Sequence, residues 1–68
     1  MSKIYGWSWK SWDDQYMIAF DTEEEAREWL HTEEYDFRER ELLTRDEARN
    51  QMGPDVFDEW DETERIRF

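Results

Sequence analysis

The chain has 68 residues, which is enough for one domain (residues 1–68) and close to the lower limit for a self-sufficient hydrophobic core. It has no cysteine and one histidine, which excludes disulfides, thiolate metal sites and histidine-rich metal clusters. Twenty acidic residues against nine basic ones give a net charge of −11. That charge argues against direct binding to nucleic acid or to an anionic membrane, because both carry the same sign.

The first third of the sequence predicts a β-hairpin. Residues from Lys3 to Lys10 alternate in character, and Gln15 to Asp21 form a second run with apolar residues on both faces. Turn-forming residues at positions 11–14 separate the two runs. We therefore expect an antiparallel pair with the second strand in the centre of a sheet. The aromatic face of the first strand should line the core; it carries Tyr5, Trp7 and Trp9.

Two capping boxes predict two helices with a strand between them. Thr22 and Thr44 are each followed three residues later by a glutamate, which is typical of a helix N-terminus. The first helix should span residues 23–31, and the second should be shorter and end at Gly53. Residues 35–43 predict the intervening strand, and its alternating charges suit a sheet edge.

The segment 54–68 is acidic, and one interpretation of it is a C-terminal extension of the single domain. Its pattern predicts one helical turn followed by an extended end. The elements occur in the order β-β-α-β-α. This order predicts an α+β fold, a small two-layer sandwich with an antiparallel sheet of three or four strands and both short helices on one face.

No arrangement of residues predicts catalysis. Two glycines cannot form a glycine-rich phosphate loop, and the carboxylates after Pro54 lack the spacing of a calcium-binding loop. His31 falls at the expected end of the first helix, where a cation suits the helix dipole. We expect no enzyme activity, no catalytic residue, no metal and no cofactor.

Tryptophan is the second unusual feature of the composition. The chain has five, and three of them lie between positions 7 and 12. Large aromatic side chains stabilise a core that has few aliphatic residues. Trp12 lies in the predicted turn and is the indole that the core explains least. Because tryptophan is enriched at binding hot spots, Trp12 and Trp60 are candidate anchors for a protein partner.

In size, acidity, aromatic content and lack of cysteine, the whole chain resembles small inhibitors encoded by phages and mobile elements. These include anti-CRISPR proteins, anti-restriction proteins and inhibitors of uracil-DNA glycosylase. The resemblance includes no diagnostic motif, so no functional residue is carried over. It implies a DNA mimic: a phage protein that binds a nucleic-acid-processing enzyme of host defence and inhibits it by occupying its basic nucleic-acid site. Such a protein would act in the cytoplasm of the host.

On this hypothesis, exposed carboxylates accept charge-assisted hydrogen bonds from arginine and lysine side chains of the partner. Exposed aromatic residues anchor the contact. The expected partner-binding residues are Trp12, Asp13, Asp14, Glu24, Glu28, Glu33, Glu34, Asp58, Glu59, Trp60, Asp61 and Glu62.

Two other interpretations stay open. The chain would also suit a structural or regulatory interaction module, such as a homodimer, an antitoxin-like partner or a virion component, whose acidity serves solubility. Seven arginines against two lysines fit adaptation to high salt. No apolar run is long enough to span a membrane and no signal peptide is evident, so a cytoplasmic location without a membrane partner is expected.

Overall fold

The computed structural model describes residues 3–32 and 38–68. The elements in this part of the chain are β1 (Ile4–Ser11), β2 (Asp14–Phe20), α1 (Glu23–His31), β3 (Glu39–Leu43), α2 (Arg45–Met52), α3 (Pro54–Glu59) and β4 (Ile66–Arg67). The four strands form one antiparallel sheet in the order β3-β1-β2-β4. The predicted α+β fold class is confirmed. After the predicted β-β-α-β-α order come α3 and β4, in the segment for which one helical turn and an extended end were predicted.

The sheet is built around the predicted hairpin. β1 and β2 pair in a register that places Trp7 opposite Met17 and Ser8 opposite Tyr16. β2 is a central strand and β3 is an edge strand, as their patterns predicted. Of the predicted third strand, residues 35–37 lie outside the described residues, and β3 itself begins at Glu39.

Side-chain caps begin α1 and α2 at the predicted residues. The Thr22 hydroxyl accepts a hydrogen bond from the Glu25 N–H at 3.2 Å. Thr44 forms a complete capping box, because its hydroxyl accepts from the Glu47 N–H and the Glu47 carboxylate accepts from the Thr44 N–H. Gly53 ends α2 with φ of 95°, a conformation that favours glycine.

The helices lie on opposite faces of the sheet, which corrects the prediction of two layers with both helices on one face. Consecutive strand residues point to opposite faces. Tyr5 packs against Phe57 of α3, with ring centroids 5.7 Å apart. Its neighbour Gly6 lies under Trp29 of α1, so closely that a Cβ atom there would be 2.7 Å from the indole ring. The pattern of a helix shows which of its sides is buried but not which face of a sheet it covers.

We call the two sides the Tyr5 face, covered by α2 and α3, and the Gly6 face, covered by α1. The main core lies on the Tyr5 face. Phe57 and Trp60 belong to it, and β4 pairs with β2, so residues 54–68 are part of the folded domain and not an extension of it. The buried members of this core are Tyr5, Met17, Leu43, Ala48, Met52, Phe57 and Trp60.

Among the described residues, no helix is both long enough and apolar enough to cross a membrane.

Candidate partner-binding surface

The carboxylates are concentrated in the two helical layers. The stretch that contains α1, residues 21–32, has one arginine, Arg27, and five acids: Asp21, Glu23, Glu24, Glu25 and Glu28. The stretch that contains α2 and α3, residues 45–64, has Arg45 and Arg49 against eight acids: Asp46, Glu47, Asp55, Asp58, Glu59, Asp61, Glu62 and Glu64. Thirteen of the chain's twenty acids therefore lie in the two stretches that contain the helices.

Most cations lie on or beside the sheet, where they contact aromatic rings and backbone carbonyls. Arg40 donates to the carbonyl oxygens of Trp29, at 2.7 Å, and Thr32 at the C-terminal end of α1, where the Trp29 carbonyl also accepts from the Thr32 N–H. The guanidinium of Arg65 lies 3.7 Å from the ring centroid of Tyr16. These contacts hold the charge of Arg40 and Arg65 at the sheet, whereas the ammonium of Lys3 lies 3.7 Å from Asp21 and 4.0 Å from Glu62.

The outer surface of α1 carries a pair of unneutralised glutamates. Glu24 and Glu28 are both exposed, and residues four apart lie on the same side of a helix. The ion pair on this helix joins Arg27 to Glu23 instead. Within the described residues, neither Glu24 nor Glu28 forms an ion pair. Both carboxylates are therefore available to cations of a partner.

The acids around α3 differ in exposure and in their ion pairs and hydrogen bonds. Glu59 is exposed, whereas Asp58 lies 3.5 Å from Arg49. Glu62 is half-buried and accepts a hydrogen bond from the Tyr5 hydroxyl at 2.9 Å. Burial of Tyr5, together with this bond to a carboxylate, raises the pKa of the tyrosine to about 12. Glu62 is therefore part of the fold's internal bonding more than of a free surface.

Asp61 organises the turn that follows α3. It is exposed, and its carboxylate accepts hydrogen bonds from the hydroxyl and the N–H of Thr63, at 2.7 and 3.0 Å. These bonds hold the pKa of Asp61 below its ordinary value. The carboxylate therefore stays ionised and adds to the negative charge near Glu59.

The hairpin turn between β1 and β2 presents the most exposed large hydrophobic side chain among the described residues. Trp12 is 87% exposed, and its carbonyl accepts a hydrogen bond from the Gln15 side chain. Asp13 is exposed beside it. Asp14 is bound instead by both oxygens to Arg38, at 2.9 and 2.8 Å. The turn thus presents an indole and the exposed carboxylate of Asp13, which accepts a hydrogen bond from the Ser11 hydroxyl at 2.6 Å.

Trp60 is a correction to the predicted site. It is only 9% exposed, and its ring packs near Tyr5 and Phe57. Its indole N–H donates to the Glu64 carbonyl at 2.8 Å, so the one polar atom of the side chain is also satisfied. The indole therefore serves the core and cannot anchor a partner without unfolding the C-terminal segment.

The predicted site residues lie in three separate places. Glu24 and Glu28 share α1, Trp12 and Asp13 share the hairpin turn, and Asp58, Glu59 and Asp61 lie at the end of α3. Glu33 and Glu34 lie outside the described residues. The structure thus groups the exposed acids by layer and does not gather them into one cluster.

The sequence analysis missed a further exposed group on the Tyr5 face. Glu39 and Glu41 of β3 lie opposite Trp9 and Trp7 of β1, respectively. The two indoles were expected in the core; both are half-buried and stack on each other with centroids 4.0 Å apart, and Trp7 packs against the core. The alternation of charges in β3 was visible in the sequence, but the strand opposite it was not.

None of the described residues form a cluster of three or more potential metal ligands. Comparisons with protein-family models, with curated proteins and with solved structures found no match.

Proposed function

We propose that this chain is a non-catalytic inhibitor that occupies the basic nucleic-acid site of another protein. The target class that fits best is a nucleic-acid-processing enzyme of host defence, as for anti-CRISPR proteins and other DNA mimics. The observation that carries the proposal is the separation of charge, with acids in the two outer layers and most cations at the sheet between them.

The density of carboxylates is comparable with that of phosphates on a duplex. The molecule extends over 31 × 29 × 18 Å. A B-DNA segment 31 Å long, the largest of these three dimensions, carries about 18 phosphates. The two helical layers carry thirteen carboxylates against three arginines. Because a duplex is negative on all sides, acids on two opposite faces suit a channel that encloses its ligand.

The exposed groups would have different roles in such a complex. Glu24 and Glu28 would accept hydrogen bonds from arginine side chains that normally contact phosphates. Charges at the rim of an interface mainly accelerate association, whereas a desolvated aromatic anchor mainly slows dissociation. Trp12 is the side chain placed to act as that anchor, since it projects from the turn with its ring almost wholly in solvent.

The test is capture of partners from the cell of origin on the immobilised protein, followed by competition on the isolated complex. We expect a one-to-one complex with a basic nucleic-acid-binding protein that dissociates as salt rises and that duplex DNA or RNA displaces. Loss of nucleic-acid binding or cleavage by the target should accompany complex formation. A specific complex that nucleic acid cannot displace would overturn mimicry.

Matched charge reversals on the two layers show which faces are used. Glu24→Lys with Glu28→Lys changes α1, and Asp55→Lys with Glu59→Lys makes the same change at the same spacing on α3. An enclosing channel predicts slower association for both pairs, and a flat basic surface predicts slower association for one. If both folded variants associate at the wild-type rate, the acids do not contribute to binding.

The alternative function is an interaction module whose acidity serves solubility. The observation that favours it is the presence of acids on both outer layers, since general solubility also requires charge all round. Such a module would bind its partner without salt dependence, or would form a homodimer. Light scattering over a range of protein concentrations, repeated at low and high salt, distinguishes these outcomes from the inhibitor.

A further inference from the structure

We propose that the outer edge of β3 is a docking site for a basic β-strand of a partner protein, and that the same edge excludes a second copy of this chain. The proposal concerns β3 and not the helical layers, so it stands or falls independently of the proposed inhibition.

β3 is an edge that the described chain leaves open. It pairs with β1 on one side, and no described strand pairs with its other side. An edge strand presents unpaired N–H and C=O groups, which is the basis of recognition by strand addition. Glu39 and Glu41 are exposed on the Tyr5 face of this strand, and Arg40 lies between them on the Gly6 face.

Two-fold symmetry opposes like charges when this edge pairs with itself in the registers centred on Arg40 or Glu41. Two identical edge strands that pair antiparallel are related by a two-fold axis perpendicular to the sheet, so residues of the same face lie opposite each other. Centred on Arg40, such a pairing sets Glu39 against Glu41 and arginine against arginine. A pairing centred on Glu41 sets this residue opposite Glu41 of the other copy. Glu39 then lies opposite Leu43, and Arg40 lies opposite Leu42. Like charges directly opposite each other destabilise a strand pair.

A foreign strand with a cation at every second position meets neither obstacle. Its cations would lie on the Tyr5 face beside Glu39 and Glu41, at the separation of a direct cross-strand pair, about 4.5–5.5 Å between Cβ atoms. Behind the two glutamates lie the stacked rings of Trp9 and Trp7, which attract cations through their faces. The charge pattern of β3 therefore fits a strand with alternating lysine or arginine.

Arg40 does not oppose such a partner. Its guanidinium reaches back to the C-terminal carbonyls of α1 and lies 5.3 Å from the Trp29 ring centroid. It is therefore directed toward α1 on the Gly6 face, away from the side where the cations of the partner would lie.

The first experiment uses a short capped peptide that alternates lysine and threonine, titrated into isotopically labelled protein. We expect chemical-shift changes at the β3 amides and at the indole N–H groups of Trp7 and Trp9. A peptide of the same composition with its lysines consecutive should have a dissociation constant at least roughly fivefold higher. Equal binding of the two peptides, or shifts that avoid β3, would overturn the proposal.

Matched variants separate the edge from general electrostatic attraction. The double substitution Glu39→Gln with Glu41→Gln should lower the affinity for the alternating peptide by roughly fivefold or more, because two cross-strand ion pairs are lost. Glu24→Gln with Glu28→Gln makes the same change of net charge on α1 and should leave the affinity within about twofold. If both double variants lose affinity equally, the peptide is not bound at β3.

The second experiment tests the exclusion of a second copy. Glu41→Lys converts the Glu39–Glu41 contact of a two-fold pairing into two opposite-charge pairs, whereas Glu39→Lys with Glu41→Lys restores like charges. We expect only the single variant to dimerise, roughly tenfold more tightly than the wild type or the double variant. Sedimentation equilibrium measures this. A wild-type dimer through β3, or equal association of the single and double variants, would contradict the symmetry argument.

Discussion

The two faces of the sheet are packed in different ways. On the Tyr5 face, side chains from both central strands pack against α2, α3 and Trp60 in a core to which the described part of the chain contributes seven buried residues. On the Gly6 face, α1 contributes one fully buried side chain, Ala26, and its Trp29 lies directly over a strand glycine. Two polar groups buried on that face, the Ser8 hydroxyl and the Tyr16 hydroxyl, have no hydrogen-bond partner among the described residues.

This difference indicates where a small acidic chain obtains its stability. Large aromatic side chains on the Tyr5 face bury much area with few residues, which suits a domain of this size. The Gly6 face depends on the close approach of α1. The outer surfaces of both helical layers are then free to carry charge, because the residues that stabilise the fold lie inside. Four changes test this division.

Phe57→Ala should have the largest effect, because the ring is 2% exposed and contacts both Tyr5 and Trp60. Truncating a buried phenylalanine costs about 3–5 kcal/mol. That is most of the roughly 3–10 kcal/mol expected for a domain of this length. Circular dichroism and urea denaturation should show a largely unfolded protein. Val56→Ala, at a neighbouring residue that is 39% exposed, is the control and should cost less than about 1 kcal/mol.

Alkaline pH should weaken the Tyr5 face specifically. Since burial and the bond to Glu62 raise the pKa of Tyr5 to about 12, the tyrosine ionises in the unfolded chain before it ionises in the folded one. Its stabilising contribution is complete below pH 10 and is lost as pH rises toward 12. The free energy of unfolding should fall by roughly 2–3 kcal/mol over that interval. Tyr5→Phe removes the titrating group, and urea denaturation of that variant should lack this fall.

Gly6→Ala tests the approach of α1 to the other face. The new Cβ atom would lie 2.7 Å from the Trp29 ring and 2.8 Å from the Phe20 ring. Overpacking of this kind costs about 1–3 kcal/mol, although alanine in a strand regains roughly 0.5–1 kcal/mol over glycine. Trp29→Leu in the same chain should recover part of the loss in a double-mutant cycle. Additive effects of the two substitutions would show that helix and strand are not in contact there.

Trp12→Ala should have the smallest effect on stability. A side chain that is 87% exposed on a turn contributes less than about 0.5 kcal/mol to folding. The fluorescence emission should shift to shorter wavelength, because the most exposed indole is removed. A loss of stability as large as that of Gly6→Ala would mean that the turn is packed and is not free for a partner.

Local patterns predicted the elements of this fold well. Thr22 and Thr44 begin their helices as expected, because a cap is a hydrogen bond between residues three apart in sequence. The alternation in β1 and β2 and the apolar character of both faces of β2 placed the hairpin at the centre. The alternating charges of residues 38–41 predicted an edge strand. Caps, alternation and charge patterns were all readable because each involves residues that are close in sequence.

The candidate site was less predictable, because exposure depends on residues that are distant in sequence. Trp12 is exposed as expected, but Trp60 is buried against Tyr5, which is 55 positions away. Asp14 was expected to be free, yet it binds Arg38, which is 24 positions away in the sequence. The pairing of Trp7 and Trp9 with Glu41 and Glu39 depends on the register of β1 with β3, which no local pattern specifies.

Order along the chain, helix starts and the strand most suited to an edge follow from the amino acids alone, since hydrogen-bonded caps and side-chain alternation act over a few residues. The assignment of each helix to a face of the sheet, the inward turn of Trp60 and the position of the arginines do not. Both faces of β2 are apolar, so local patterns allow either helix to cover either face. Which helix covers which face is decided only when the whole chain packs. The placement of the two acidic helical layers on opposite faces of the sheet is therefore a property of the tertiary structure.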